Sequence, residues 1–382
     1  MSNKNDTAVT IIALIISLAI VGGVGWWLVG NSNFLKLNQR ATQTTKTKTP
    51  ATSSQTNCQT DAAAVLSLAV SSDYQTLAIA RSEGQIEIWD WQNQQEKNAP
   101  LQGHKGRIND IAMSRNGKIL VSGGGDGTVK VWDLQTGNLR QKLLSRQFGR
   151  ILSVDIRSDG TKVAAGSSTG KIAVWNLSDS NSNSQPIQLQ IDSQKTKIQT
   201  VAFHPTNPNI LATGGNDGKI WIWNLDTQQQ TNLSPLEKSN VTHVFDLAFS
   251  SDGTQLASGT NLGEIDIWNL NTGERNTLKF NAHDFLVSAV RFGNNQQYLA
   301  TASYDETVKL WNFNPSQSEQ RVNSLRGHYG FVYDVAFLTP TGETLASAGY
   351  DGTLRIWQKN DQQQWQNEIL CSAKNTGGNE TP

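Results

Sequence analysis

Cysteine is nearly absent. The 382-residue chain holds two, Cys58 and Cys371, too few for a disulfide-dense scaffold or a Cys-rich zinc site. Net charge is absent too, with 32 basic and 32 acidic side chains, so no global field draws the protein to nucleic acid. The zero conceals a split. Residues 1–60 carry Lys4, Lys36, Arg40, Lys46 and Lys48 against Asp6 alone, which leaves 27 basic and 31 acidic groups for residues 61–382. A mildly acidic globular part lacks the clustered Lys and Arg that DNA or RNA binding needs, so no nucleic-acid partner is expected. Catalytic and cofactor signatures are missing as well. There is no H-E-x-x-H, C-x-x-C or dinucleotide fingerprint, and the Gly-rich run at 122–130 (SGGGDGTVK) lacks the Gly-Lys-Ser/Thr of a phosphate loop. Nowhere between the strand-like segments described below does a helical period persist over ten residues.

What the chain does have begins with one long apolar run. Residues 8–29 (AVTIIALIISLAIVGGVGWWLV) contain no charge, and as a helix they reach about 33 Å, enough for a hydrocarbon core of roughly 30 Å. Trp26 and Trp27 close the run, as aromatic residues do at a membrane boundary. A cleaved signal peptide would carry an apolar core of about 7–15 residues and a small-residue cleavage site; this run is longer and ends WWLVGNSNF. It is therefore expected to be an uncleaved single-pass anchor behind an N-terminal tail, residues 1–7. The basic residues after it favour a cytoplasmic globular part, whereas a short tail before an anchor is equally how exported proteins begin, so both sides of the membrane stay open. Residues 30–60, rich in Ser, Thr, Gln and Asn, have almost nothing to bury and read as a flexible linker.

Beyond the linker the sequence is periodic. Trp89, Trp132, Trp175, Trp223, Trp268, Trp311 and Trp357 recur at intervals of 43 to 48 residues. Each ends a strand-like segment (IEIW, VKVW, IAVW, IWIW, IDIW, VKLW, LRIW), preceded by a second ending in small residues and by a third such as INDIAM or VYDVAF. Polar-plus-Gly turns (GDGT, NDGK, YDGT) join the last two as hairpins. With an outer strand after each Trp, every repeat is a four-stranded sheet. One such sheet cannot bury both faces, whereas a ring of them can, so the domain is expected to be an all-β propeller.

The Trp-Asp endings, the period and the Gly-His pairs resemble the WD40-repeat family over about residues 61–372. The resemblance implies a seven-bladed β-propeller over 61–373, followed by a disordered tail at 374–382. It also implies a buried hydrogen-bonded chain of His, Ser or Thr, Asp and Trp in each blade. Three repeats carry the whole set: His104/Ser122/Asp126/Trp132, His283/Thr301/Asp305/Trp311 and His328/Ser347/Asp351/Trp357. Their likeness to a hydrolase triad is set aside because the trio recurs once per repeat. The blade ending at Trp223 keeps Thr213 and Asp217 without a His, the one ending at Trp268 has Ser258 with Leu262 in the Asp slot, and Trp89 and Trp175 keep little. His204 lies in a strand–strand turn and is expected to be exposed.

In such a ring, residues that begin each inner strand, or precede the turn Asp, reach one end, here the top. Aromatic and apolar residues (Phe245, Leu286, Tyr304, Phe331, Tyr333, Tyr350) gather over blades five to seven, and Arg107, Arg150 and Lys197 lie over blades two to four. The expected function is a membrane-tethered, non-enzymatic scaffold without cofactor or metal. Its protein partners would be held by the aromatics, with the basic residues meeting acidic groups. The alternative is a small-molecule or catalytic site in the central channel. Cys58 and Cys371 both map to the seam where the ring closes. A disulfide there requires an oxidising compartment; two thiols in a reducing one is the other reading.

Overall fold

The computed structural model describes residues 63–144, 148–177, 185–191, 196–237, 241, 243–278, 282–293, 297–312, 322–362 and 364–370. The anchor at 8–29, the linker, the C-terminal tail, Cys58 and Cys371 lie outside them. Among the described residues no helix is long and apolar enough to cross a membrane.

The described residues form seven antiparallel sheets, each built from consecutive strands. The inner strands are Val65–Val70, Ile108–Met113, Ile151–Ile156, Ile198–Phe203, Val244–Phe249, Val287–Phe292 and Val332–Phe337. They define blades 1 to 7, and the second, third and outer strands of each blade follow in order. In blades 1 and 4 the outer edge is split into two short segments that both pair with the third strand, Gln95–Glu96 with Leu101–Gln102 and Gln229–Gln230 with Leu236–Glu237. Each inner strand carries a register shift at its start, between Ile108 and Asp110 in blade 2 for example. Such a bulge bends a strand and increases its twist, which suits it to the narrow centre of a ring.

The second strands read as apolar or small residues without alternation because they are covered on both faces. Leu120 packs toward blade 1 beside Ile86, and Val121 packs toward blade 3 beside Val154. The same strand explains one glycine position. A Cβ on Gly166 would lie 2.6 Å from Ile198 Cγ2, and on Gly123 2.6 Å from Ile151 Cγ2, so the next blade approaches too closely for a side chain. Gly166→Val is expected to cost about 1–3 kcal/mol by overpacking, read as a lower urea midpoint in Trp fluorescence; an unchanged midpoint would refute this packing argument.

Among the described residues the ring closes without strand exchange. Blade 7 is complete within Val332–Ile369 and blade 1 within Val65–Gln102. Val65, Leu68, Ile79 and Trp89 pack against Ala336, Ala348, Leu354 and Ile356 across the seam.

Candidate functional site

The residues with unusual chemistry fall into three places: inside the blades, along the channel and at the top end.

Inside blade 2, Trp132 Nε1 donates to Ser122 Oγ at 2.9 Å, and that oxygen is 2.7 Å from His104 Nε2. His104 Nδ1 lies 3.1 Å from Asp126 Oδ1. Blade 6 repeats the chain through Trp311, Thr301, His283 and Asp305 at 2.9, 2.8 and 2.8 Å. Blade 7 does so through Trp357, Ser347, His328 and Asp351 at 2.8, 2.6 and 3.1 Å. Burial depresses the His104 and His283 imidazoles, so each is neutral, with Nδ1–H donating to the carboxylate and Nε2 accepting from the hydroxyl. Burial works to raise the three carboxyls, but the hydrogen bonds and the histidine on each outweigh it and hold Asp126, Asp305 and Asp351 well below the usual range. Ser122, Thr301 and Ser347 have no solvent exposure, so a substrate cannot reach these hydroxyls. The trios brace the blades.

The incomplete blades solve the same problem with other residues. Ile79 occupies the hydroxyl slot of blade 1, and Trp89 Nε1 donates instead to Glu87 Oε2 at 3.0 Å, a carboxylate held by Arg81. In blade 4 the second indole, Trp221, donates to Asp217 at 3.0 Å, while Trp223 keeps Thr213 at 3.0 Å. Trp268 of blade 5 keeps Ser258 at 3.1 Å. Phe148 packs beside Trp175 in blade 3, ring centres 6.3 Å apart. His204 is half-buried rather than exposed. Its Nε2 donates to the Gly253 carbonyl at 3.0 Å and its Nδ1 accepts from Asn207 N–H at 2.9 Å, clasping blade 4 to blade 5.

The channel, about 710 Å³ in volume, is lined by the inner strands. Their polar side chains form a belt from each blade to the next. Ser67 Oγ accepts from Ile111 N–H, Asp110 from Val154 N–H, Ser153 from Val201 N–H, Asp155 from Phe203 N–H, Asp246 from Val290 N–H and Asp334 from Leu68 N–H, all within 2.7–3.2 Å. Arg291 donates to Asp246 on one side and to Asp334, at 2.9 Å, on the other. Burial, opposed by the hydrogen bond from Val154 and reinforced by the nearby charge of Asp334, leaves Asp110 pushed up to about 7, and burial pushes Asp155 up to about 6. The sequence reading passed over this belt. Its signal is a single charged residue in each of several largely apolar strands, as in INDIAM, VFDLAF and VSAVRF.

At the top, one backbone bond recurs in all seven blades: the carbonyl of the residue before each inner strand accepts from the residue that opens the hairpin turn. Ser82→Ala64, Gly125→Arg107, Ser168→Arg150, Asn216→Lys197, Asn261→His243, Tyr304→Leu286 and Tyr350→Phe331 make it. These are therefore equivalent positions around the channel mouth, and the residues two further along, from Leu66 to Tyr333, line the channel. Tyr304 stacks on Phe331 with ring centres 4.2 Å apart, Tyr333 meets Tyr304 edge-on at 5.6 Å, and Phe331 lies 6.0 Å from Tyr350. Arg107 of blade 2 lies over the Tyr333 ring of blade 7 at 5.8 Å. Leu286 is 7% exposed, so it packs inward and is not offered to a partner. Phe245, Tyr304, Phe331 and Tyr333 are part-buried, whereas Tyr350 is exposed.

The large exposed hydrophobics among the described residues are Leu139, Leu262, Phe285, Tyr329 and Tyr350. All but Leu139 belong to the top turns and loops of blades 5 to 7. Gly263 is bonded to the loop that carries Phe285, and Gly330 lies against the Tyr350 ring. Leu262 is named from the sequence only as a departure from the network Asp, and Phe285 and Tyr329 are not singled out there because they lie just after the network histidines and not at strand starts or turn positions.

A family model described as IFT122 first beta-propeller matches residues 108–368. No curated protein matches the chain.

Proposed function

The chain belongs to the IFT122 first beta-propeller family, and on that premise we propose that it is a membrane-tethered, non-enzymatic scaffold that holds protein partners on the top of blades 5 to 7. The observation that carries this reading is the grouping of Leu262, Phe285, Tyr329 and Tyr350 at one end of the ring. Scattered exposed apolar residues are ordinary, but a cluster beside part-buried aromatics is what interfaces use as anchors. A site in the channel is disfavoured because its Asp and Arg side chains are engaged between blades. The tether is residues 8–29, and the absence of charge over that run supports it. The three complete His/Ser-or-Thr/Asp/Trp sets serve as braces in this reading.

The test is crosslinking capture from membranes with the full chain. Phe331→Ala with Tyr333→Ala should reduce partner recovery about tenfold or more, as loss of aromatic anchors does, while the urea midpoint shifts far less than for a core deletion. Equal recovery from the variant and the parent would refute the aromatic face. Protease protection in sealed against opened cells reports the tether and the side of the membrane on which the ring lies.

A further inference from the structure

The top mouth is electrically one-sided. Going round the equivalent positions before the inner strands, blades 2, 3 and 4 present Arg107, Arg150 and Lys197, and blade 7 presents Phe331, while Leu286 of blade 6 is packed inward. No Asp or Glu stands at these positions, at the channel-lining positions two residues on, or at the paired turn positions, in any of the seven blades. This occurs in a part of the chain whose acidic residues outnumber its basic ones, 31 to 27. Like charges are brought together here. Burial, and then the charge of Arg150, hold the Lys197 ammonium below its usual range, and burial followed by the charge of Lys197 depresses His243. Three cations on successive blades favour an anionic partner at these positions, the exposed acids Glu83, Asp284 and Glu306 being carried by the adjoining top turns and loops.

We infer that this mouth takes a segment of a partner protein bearing several carboxylates beside an apolar anchor, with the carboxylates over Arg107, Arg150 and Lys197 and the anchor over the aromatic sector. The inference rests on the proposed reading of that sector and adds the partner's chemistry and its orientation. Carboxylates spread along a chain fit better than a single phosphate, because the cations come one from each of three successive blades and do not converge as a fork. Arg107 over Tyr333 is where the two halves meet. A partner lying across the mouth would place its acidic part on one side of that contact and its apolar residue on the other.

The experiment is selection of a displayed library of random peptides on the full-length protein in mild detergent, followed by affinity measurement on the recovered peptides. The expected result is enrichment of Asp and Glu adjacent to Phe, Leu or Trp. Binding should weaken about tenfold with Arg150→Glu plus Lys197→Glu, and similarly with Tyr329→Ala plus Tyr350→Ala. Affinity should also fall with added salt. The reversals sit at the rim, and an unchanged urea midpoint verifies that the ring is intact. Recovered peptides without acidic enrichment, or equal binding to the charge-reversed variant, would overturn the inference while leaving the aromatic reading standing. Insensitivity to both pairs of substitutions, or failure to recover any peptide, would remove both. Displacement by a single-stranded oligonucleotide or by phosphoserine at concentrations where glutamate peptides do not compete would replace the carboxylate partner with a nucleic-acid or phosphate one.

Discussion

Arg291→Met is expected to destabilise the ring by about 2–3 kcal/mol, less than the roughly 3–5 kcal/mol of a fully buried charge pair because the Arg291 side chain is 31% exposed. The guanidinium sits between Asp246 of blade 5 and Asp334 of blade 7, so its loss leaves two carboxylates facing each other without a cation. The consequence extends to the seam, since Asp334 also accepts from Leu68 N–H at 2.9 Å and from Ser67 Oγ at 3.3 Å, in blade 1. Among the described residues no strand crosses that seam, and these bonds join blade 7 to blade 1 together with the apolar contacts beside them and the bond from Arg81 to the Gly352 carbonyl at 3.3 Å. Urea denaturation followed by Trp fluorescence gives the comparison. A loss under about 1 kcal/mol, the size of an exposed surface pair, would mean the belt contributes little.

The second large effect is a pH dependence. Asp110 is pushed up to about 7, chiefly by burial, with the hydrogen bond from Val154 opposing and the charge of Asp334 adding to it. In the unfolded chain the same carboxyl titrates near its ordinary value of 3.8. Below that value both states are protonated and Asp110 has no influence on stability. As pH rises from about 4 to about 7 the unfolded state loses its proton first, so the Asp110 contribution falls through that window and is fully unfavourable above it. The histidines with depressed pKa, His104, His204, His243 and His283, act in the opposite sense at and below pH 6.5, so the wild-type profile alone mixes the two. The difference between wild type and Asp110→Asn isolates the carboxyl. The two proteins should be equally stable near pH 3, and the variant more stable by on the order of 4 kcal/mol at pH 8. A difference that does not change with pH would show that the carboxyl titrates normally in the channel.

Much of this architecture was legible in the residues because a repeat states its pattern seven times. The seven Trp residues, the small-residue second strands and the Gly turns required four strands per unit and a ring to bury them, and seven sheets are found. The network sets of blades 2, 6 and 7 could be read because all four residue types recur at a fixed offset. Blades 1 and 4 could not be read that way. There the acceptor comes from Glu87 held by Arg81, or the donor from a second indole, Trp221, and nothing in a single repeat announces such a replacement. The top face was half legible. Tyr350 is exposed as read, but Leu286 turned inward, because the alternation of a strand fixes which face a residue occupies and not whether a neighbouring blade covers it.

The sequence by itself determined the period, the strand content, the blade count and the apolar run at residues 8–29, since each depends on local pattern and on the need to bury sheet faces. Only the tertiary structure decided how the ring is closed, which charges meet across the channel, and where the large apolar residues stay exposed. Asp246, Arg291 and Asp334 lie 88 residues apart from first to last yet share one ion-paired cluster. Arg107 of blade 2 likewise reaches Tyr333 of blade 7 across the ring closure. Such contacts depend on distances between blades, which no single repeat encodes.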